Sequence, residues 1–279
     1  MINPIDEVYQ KFPIIRDLIA FNDISNEIAK DISESCKSHY FSLGDYLCRK
    51  NIIPSEILII SKGEARLIGE DQGKIVTLEK LGPGSFIGLA SFLRAAPCEE
   101  IIAASDLKAI TFSDKLILKL LQEKRGFFKW CTSTLFTAEL ASLVSLEISD
   151  YPLSTLSLKK ILEEIKSQSY LMPSGGEPNS VKQNQKVIVA SQNIPDNPIG
   201  TKILTSEKIP KASPPLPPRI IAINNTKSFQ FANIFDQDKS NHVRENNLLT
   251  KKMRSGPLAT GIDLGQSDNN QIQLVRGKG

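Results

Sequence analysis

Apolar positions in the first 36 residues recur at helical spacing: Val8, Phe12, Ile15 and Leu18/Ile19. Pro4 suits a first helical turn, and Pro13 breaks or kinks the segment. Ser25 is a candidate N-cap for a second helix that places Ile28, Ile32 and Cys36 on one face. From about Lys37 the pattern changes to short strands separated by turn residues. Tyr40–Leu43 runs into Gly44-Asp45, Ile57–Ile60 into Ser61-Lys62-Gly63-Glu64, and Ala65–Ile68 follows as the return strand of a hairpin. Gly63 is free to take positive φ there. Asp71-Gln72-Gly73 turns again before Ile75–Leu78, and the glycine-punctuated loop Leu81–Gly88 precedes strands over Ile101–Ala104 and Leu107–Phe112. Strands about ten residues apart predict an antiparallel sandwich, barrel or roll.

Helical spacing returns at Ser113, a cap for a helix that buries Leu116, Leu120 and Leu121. Beyond Gly126 one long helix is predicted to about Ile148, with Phe128, Cys131, Leu135, Leu143 and Leu146 among its apolar positions. A last amphipathic helix follows Ser157, where Leu158, Ile161, Leu162 and Ile165 sit at i, i+3, i+4 and i+7. Past Tyr170 the period is lost. Pro173-Ser174-Gly175-Gly176 and Pro214–Pro218 are linker chemistry, and isolated apolar stretches such as Val187–Val189 and Phe229–Phe235 do not by themselves build a core.

Composition agrees with that division of the 279 residues. Residues 1–167 carry 20 basic and 23 acidic side chains, whereas 168–279 carry 14 and 8, together with 10 of the 16 prolines and no cysteine. The expected organisation is α+β, mainly β: N-terminal helices over 1–36, an antiparallel β-roll or jelly roll with its long C-terminal helix over 37–148, a short amphipathic helix over 149–167, and a disordered linker or tail over 168–279. No window approaches the ~20 apolar residues that span a bilayer, since Glu139 and Glu147 interrupt Leu135–Ile148. The start, Met1–Glu7, lacks the basic and apolar pattern of a signal peptide, so a cytoplasmic chain with reduced thiols is expected. Cys36, Cys48, Cys98 and Cys131 are widely spaced, with only His39 and His242 beside them, which argues against a zinc site.

The order of helix, strands, glycine loop, short helix, two strands and long helix resembles the cyclic nucleotide-binding domain of the catabolite-activator and protein-kinase-regulatory family, over about residues 20–148. Gly44-Asp45, the Ile57–Gly63 hairpin and Gly82-Pro83-Gly84-Ser85-Phe86-Ile87-Gly88 carry the resemblance. It implies that the short helix after the loop cradles a cyclic phosphate on its backbone amides. The implied cassette comprises Gly84, Phe86, Ile87, Gly88, Leu89, Ala90, Arg94, Cys98 and Glu99. Two positions depart from the family pattern. Leu89 stands where the family has a ribose-gripping glutamate, and Cys98 where it has the phosphate-pairing arginine, followed by Glu99 and Glu100. Arg94 lies four residues upstream, out of register for a direct replacement. Each lost charge-assisted bond costs about 1.5–3 kcal/mol, so both together weaken a micromolar site by roughly two to four orders of magnitude. No cofactor is therefore expected, with cAMP or cGMP disfavoured by Leu89 and Cys98.

Other candidate chemistry has simpler readings. Gly69–Ile75 has the look of a phosphate-binding loop but is one residue short, lacks a Ser/Thr after Lys74 and falls in a hairpin turn, so it reads as a solvated turn. His39 has no nucleophile or orienting acid in a motif beside it and reads as a strand-edge residue. Cys98 reads as an inert thiol, Trp130 with Phe127 and Phe128 as core or dimer contact, and Pro214–Pro218 as a spacer. Lys251, Lys252 and Arg254 read as solvated, with no nucleic acid expected as a partner. No acid–base pair, nucleophile or metal cluster supports an enzyme.

The expected function is that of a non-catalytic regulatory, sensor or docking module. Phe128, Cys131, Leu135 and Leu143 on the long helix would form a dimer seam or effector surface. The layout also resembles the N-terminal region of cyanobacterial peptidase-containing ABC exporters of the bacteriocin and type I secretion class. That resemblance implies exporter domains as partners and a place at the cytoplasmic face of a membrane. The alternative is a regulator of the catabolite-activator type, although no recognition-helix pattern follows residue 150.

Overall fold

The computed structural model describes residues 3–148, 157–173, 181–182, 185–204 and 207–224. Helix α1 (Pro4–Lys11) starts at Asn3, whose side chain accepts the Ile5 amide at 3.1 Å, and it ends before Pro13. Two 3-10 turns, Pro13–Asp17 and Ile19–Phe21, lead to α2 (Asn26–Ser35), capped by Ser25. Then come β1 (Lys37–Phe41), β2 (Tyr46–Cys48), β3 (Glu56–Lys62), β4 (Ala65–Asp71), β5 (Lys74–Leu81), β6 (Phe86–Ile87), α3 (Leu89–Leu93), β7 (Ile101–Ala103) and β8 (Leu107–Ser113). They form two four-stranded antiparallel sheets, ordered β1-β8-β3-β6 and β2-β7-β4-β5. This is the mainly β roll with flanking helices that the pattern predicts.

The unbroken apolar run Ile57–Ile60 is explained by its position inside a sheet. Alternate side chains along a strand face opposite ways, and both faces of β3 are covered. Ile57 and Ile59 pack with Ile28, Ile32 and the helices, while Leu58 and Ile60 face the roll interior with Leu67 and Leu78. At the tip of the β3–β4 hairpin Gly63 has φ +88, and a Cβ there would collide with the Asp106 carbonyl. The Gly69–Ile75 segment is the β4–β5 hairpin turn, as expected, and His39 is exposed on the edge strand β1.

Ser113 caps α4 (Asp114–Glu123), its hydroxyl accepting the Leu116 amide at 3.3 Å. The single long helix expected after Gly126 is instead two: α5 (Arg125–Ser133) and α6 (Thr137–Ile148). Leu135 and Phe136 lie in the break, partly buried against the core. Glu139 takes the Phe136 amide at 3.1 Å, the returning half of a capping box, which starts a new helix at Thr137.

Helix α7 (Leu158–Ser167) buries Leu158, Ile161, Leu162 and Ile165, as its periodicity predicts. Residues 168–224, expected to be linker, instead contribute β9 (Ser169–Leu171), β10 (Gln185–Val189), β11 (Lys202–Ile203) and β12 (Ile220–Asn224). These pair antiparallel in the order β11-β10-β12-β9, with Val187 opposite Ala222. On one face Val187, Val189, Ile220 and Ala222 pack with Met172, Ile194 and Ile209. On the other, Ile188, Ile221 and Ile223 join α6, α7 and the roll in one core. Each apolar stretch is too short to bury itself, but the two cover each other. The Pro214–Pro218 segment is held rather than free, since Asn193 Nδ2 donates to the Leu216 carbonyl at 2.9 Å. Phe229–Phe235, His242, Lys251, Lys252 and Arg254 lie outside the described residues.

Candidate functional site

The loop Gly82–Gly88 is tied to the central strand of its sheet. The Gly84 amide donates to the Ile60 carbonyl at 2.8 Å, the Ile60 amide to the Ser85 carbonyl at 3.0 Å, and β6 pairs with β3. Gly84 and Gly88 both have φ +87, a conformation that an L side chain resists. At Gly88 the space is closed as well, because a Cβ would lie 2.7 Å from Pro54 Cγ. The chain therefore turns sharply into α3 and exposes its first amides inward.

Phe86 and Ile87 are buried, and Phe86 stacks on Phe21 at 6.1 Å and meets Trp130 at 4.7 Å in a tilted contact. Leu89 is fully buried among Phe92, Leu93 and Ile110, so the position expected to grip a ribose belongs to the core. Ala90 is likewise buried. The acid at the head of α3 is Glu99. Its two carboxylate oxygens accept the Gly88 amide at 2.9 Å and the Ser91 amide at 2.8 Å, with the side chain buried. Ser91 Oγ in turn accepts the Cys98 and Glu99 amides at 3.1 and 3.3 Å, which fixes the return loop. Burial raises the Glu99 carboxyl above its ordinary value, opposed by these Ser91 and Gly88 bonds, with the Glu139 charge adding to the rise.

Cys98 is partly buried, and burial followed by the Glu99 charge pushes its thiol up to about 12, against the pull of Arg94. The guanidinium of Arg94, 1% exposed, does reach the cassette beside this thiol. Its Nε donates to the Ala190 carbonyl at 2.5 Å, its own carbonyl accepts the Gln192 amide at 2.8 Å, and its Nη1 is buried without a partner. Arg94 thus binds the C-terminal strands of the same chain.

The sequence reading missed Arg219, the residue that joins these parts. It is completely buried; Nε and Nη2 donate to Glu139 at 2.6 and 2.5 Å, and Nη1 and Nη2 to the Cys131 and Thr134 carbonyls at 2.5 and 2.7 Å. Those carbonyls lie at the C-terminal end of α5, so one guanidinium caps α5 and holds the acid that starts α6. The sequence signal was the non-alternating run Ile220–Ile223 directly after Arg219, the mark of a strand buried on both faces.

The expected seam residues do not share an exposed face. Cys131 and Leu143 are buried and Leu135 is partly buried, leaving Phe128, 41% exposed, at the surface. A cavity of about 340 Å³ opens beside the cassette between β4, β5, α6 and α7, touched by Pro97 and Cys98. Among the described residues there is no cluster of His, Cys, Asp and Glu suited to a metal, and no helix long and apolar enough to cross a membrane.

The cyclic nucleotide-binding domain model matches residues 38–124. Among curated proteins the chain is similar to a cyclic nucleotide-gated cation channel subunit of Drosophila melanogaster, with 32% identity over 82 residues, 29% of this chain and 12% of that protein. It is also similar to a cAMP-dependent protein kinase regulatory subunit of Mycosarcoma maydis, with 27% identity over 128 residues, 44% of this chain and 24% of that one. The chain thus spans a quarter or less of these relatives. Solved structures that are similar include a cyclic nucleotide-binding domain from Methylobacillus flagellatus, at 20% identity and TM-score 0.37 over 45% of this chain and 70% of that one. The catabolite activator protein of Thermus thermophilus is similar at 17% identity and TM-score 0.35, over 47% of this chain and 58% of that one. With its antiparallel roll, glycine loop and short helix, the stretch 38–124 of this chain is a domain of the kind that the cyclic nucleotide-binding domain model describes.

Proposed function

We propose that this is a non-catalytic regulatory docking module whose cassette is held closed by its own Glu99 and does not respond to a cyclic nucleotide. The observation that carries the reading is the Glu99 carboxylate on the Gly88 and Ser91 amides, the place where the family resemblance puts an anionic phosphate. A free anion has to displace an internal carboxylate that is already paired at zero translational cost. It then lacks the glutamate and arginine that the resemblance calls for at Leu89 and Cys98. Attachment to an exporter at the cytoplasmic face of a membrane rests on the sequence layout alone. The catabolite-activator alternative calls for a helix-turn-helix, whereas the described residues after 148 form one helix and four short strands.

The test is calorimetric titration of the full chain with cAMP, cGMP and a cyclic dinucleotide, beside the variant C98R/E99A. The wild type is expected to give no heat at micromolar ligand, and the double variant to acquire binding. Micromolar heat from the wild type would overturn the reading.

A further inference from the structure

The cassette and the α5–α6 break are gripped by one piece of chain. Ala190 and Arg219 are joined backbone to backbone, the Ala190 amide donating to the Arg219 carbonyl at 2.8 Å. The Arg219 amide donates to Ser191 Oγ at 3.0 Å, so the two strand ends move as a unit. From this unit Ala190 and Gln192 hold Arg94, the residue that closes α3. The Arg219 side chain holds Glu139 and the end of α5. Helix α3 is only five residues long, so a grip on Arg94 at one end constrains the Gly88 and Ser91 amides that seat Glu99 at the other.

We infer that the strand ends around Ala190–Gln192 and Arg219 form a cis-acting latch that keeps Glu99 seated in the cassette, so that release of the latch opens the cradle. The inference rests on the reading of Glu99 given above. First, without the Ala190 carbonyl a buried Arg94, already short of one partner at Nη1, keeps only the Cys98 thiol beside its guanidinium, and its move towards solvent takes the end of α3 with it. Second, without Arg219 the buried Glu139 is left unpaired near Glu99, and like charges in a dry site disfavour each other; the Glu139 charge already acts on both Glu99 and Cys98. Third, a buried ion pair adds little stability over an apolar pair of equal volume but fails abruptly when one partner is withdrawn, which suits a latch better than a filler.

The experiment is residue-resolved amide hydrogen exchange on the full chain, comparing wild type with Arg219→Met and Glu99→Ala. In Arg219→Met the Gly88 and Ser91 amides are expected to exchange about tenfold faster or more, while the paired amides of β3 and β8 stay protected. Unchanged Gly88 and Ser91 exchange in a variant with intact β3 and β8 protection would overturn the latch. Where Arg219→Met also loses β3 and β8 protection, the pair Arg219→Met/Glu139→Leu, which leaves no buried charge unmatched, is judged by the same criterion. Glu99→Ala separates the two claims. Slow Gly88 and Ser91 exchange in that variant would refute the seated carboxylate itself. Fast exchange there with no change in Arg219→Met would leave the seat standing and remove the latch.

Discussion

Arg219 and Glu139, 80 residues apart in sequence, meet as a two-pronged pair with both side chains wholly buried. The pair joins the residue just before β12 to the first turn of α6, so strands β9 to β12 are part of the folded body of the chain.

Removing one member of such a pair leaves an uncompensated charge in a dry site. Glu139→Leu and Arg219→Met are each expected to lower the unfolding free energy by about 3–5 kcal/mol. Arg219→Met/Glu139→Leu is expected to lose clearly less than the two single losses combined, because no charge is stranded. Urea unfolding of the four proteins measures the cycle; strictly additive losses would show that the two side chains act independently.

The raised carboxyl of Glu99 gives the folded chain a greater proton affinity at that position than the unfolded chain, whose value is near 4.5. The sign follows from linkage: Glu99 contributes most to stability below pH 4.5, and the contribution falls as pH rises through the interval up to the folded value. Gln cannot titrate. The difference in unfolding free energy, wild type minus Glu99→Gln, is therefore expected to decrease from pH 4.5 upward and then level off. A difference that grows over this interval would contradict the burial-dominated environment.

All four thiols are pushed up to about 12, with burial the leading cause at each: Cys36, Cys48, Cys98 and Cys131. At pH 8 almost no thiolate exists at any of them, and the thiolate is the reactive form. Native protein is expected to resist iodoacetamide on the scale of minutes, while urea-unfolded protein takes up four equivalents, since all four are free. Rapid native labelling at Cys98 would show that the cassette opens far more often than its packing implies.

Gly88→Ala places a Cβ against Pro54 at a residue with φ +87. Strain of this kind costs on the order of 1–3 kcal/mol. Denaturant unfolding is expected to show that loss, along with a weaker grip of Glu99 on the adjoining amides. Gly73→Ala, also at positive φ but with nothing within 4 Å of the new Cβ, is expected to lose less.

The amino-acid sequence by itself determined the elements whose signals are local. Ser25 and Ser113 cap helices because their hydroxyls reach amides three residues on, Gly63 and Gly88 turn because no side chain tolerates their φ, and Leu158–Ile165 buries a stripe set by helical period. The roll and the place of its glycine loop were legible for the same reason. The departures at Leu89 and Cys98 were legible too, but not their outcome. Only the tertiary structure decided that Glu99 turns inward onto Gly88 and Ser91, that Arg94 faces Ala190, and that the predicted long helix breaks at Thr134–Phe136. It also decided that Val187–Val189, read singly as a stretch too short for a core, pairs with Ile220–Ile223 in a sheet. The physical reason is the range of the interactions. Caps and turns are settled within four residues, whereas strand pairing and a buried ion pair depend on partners about 30 to 80 residues away, whose signals in sequence are only an apolar run and a lone arginine.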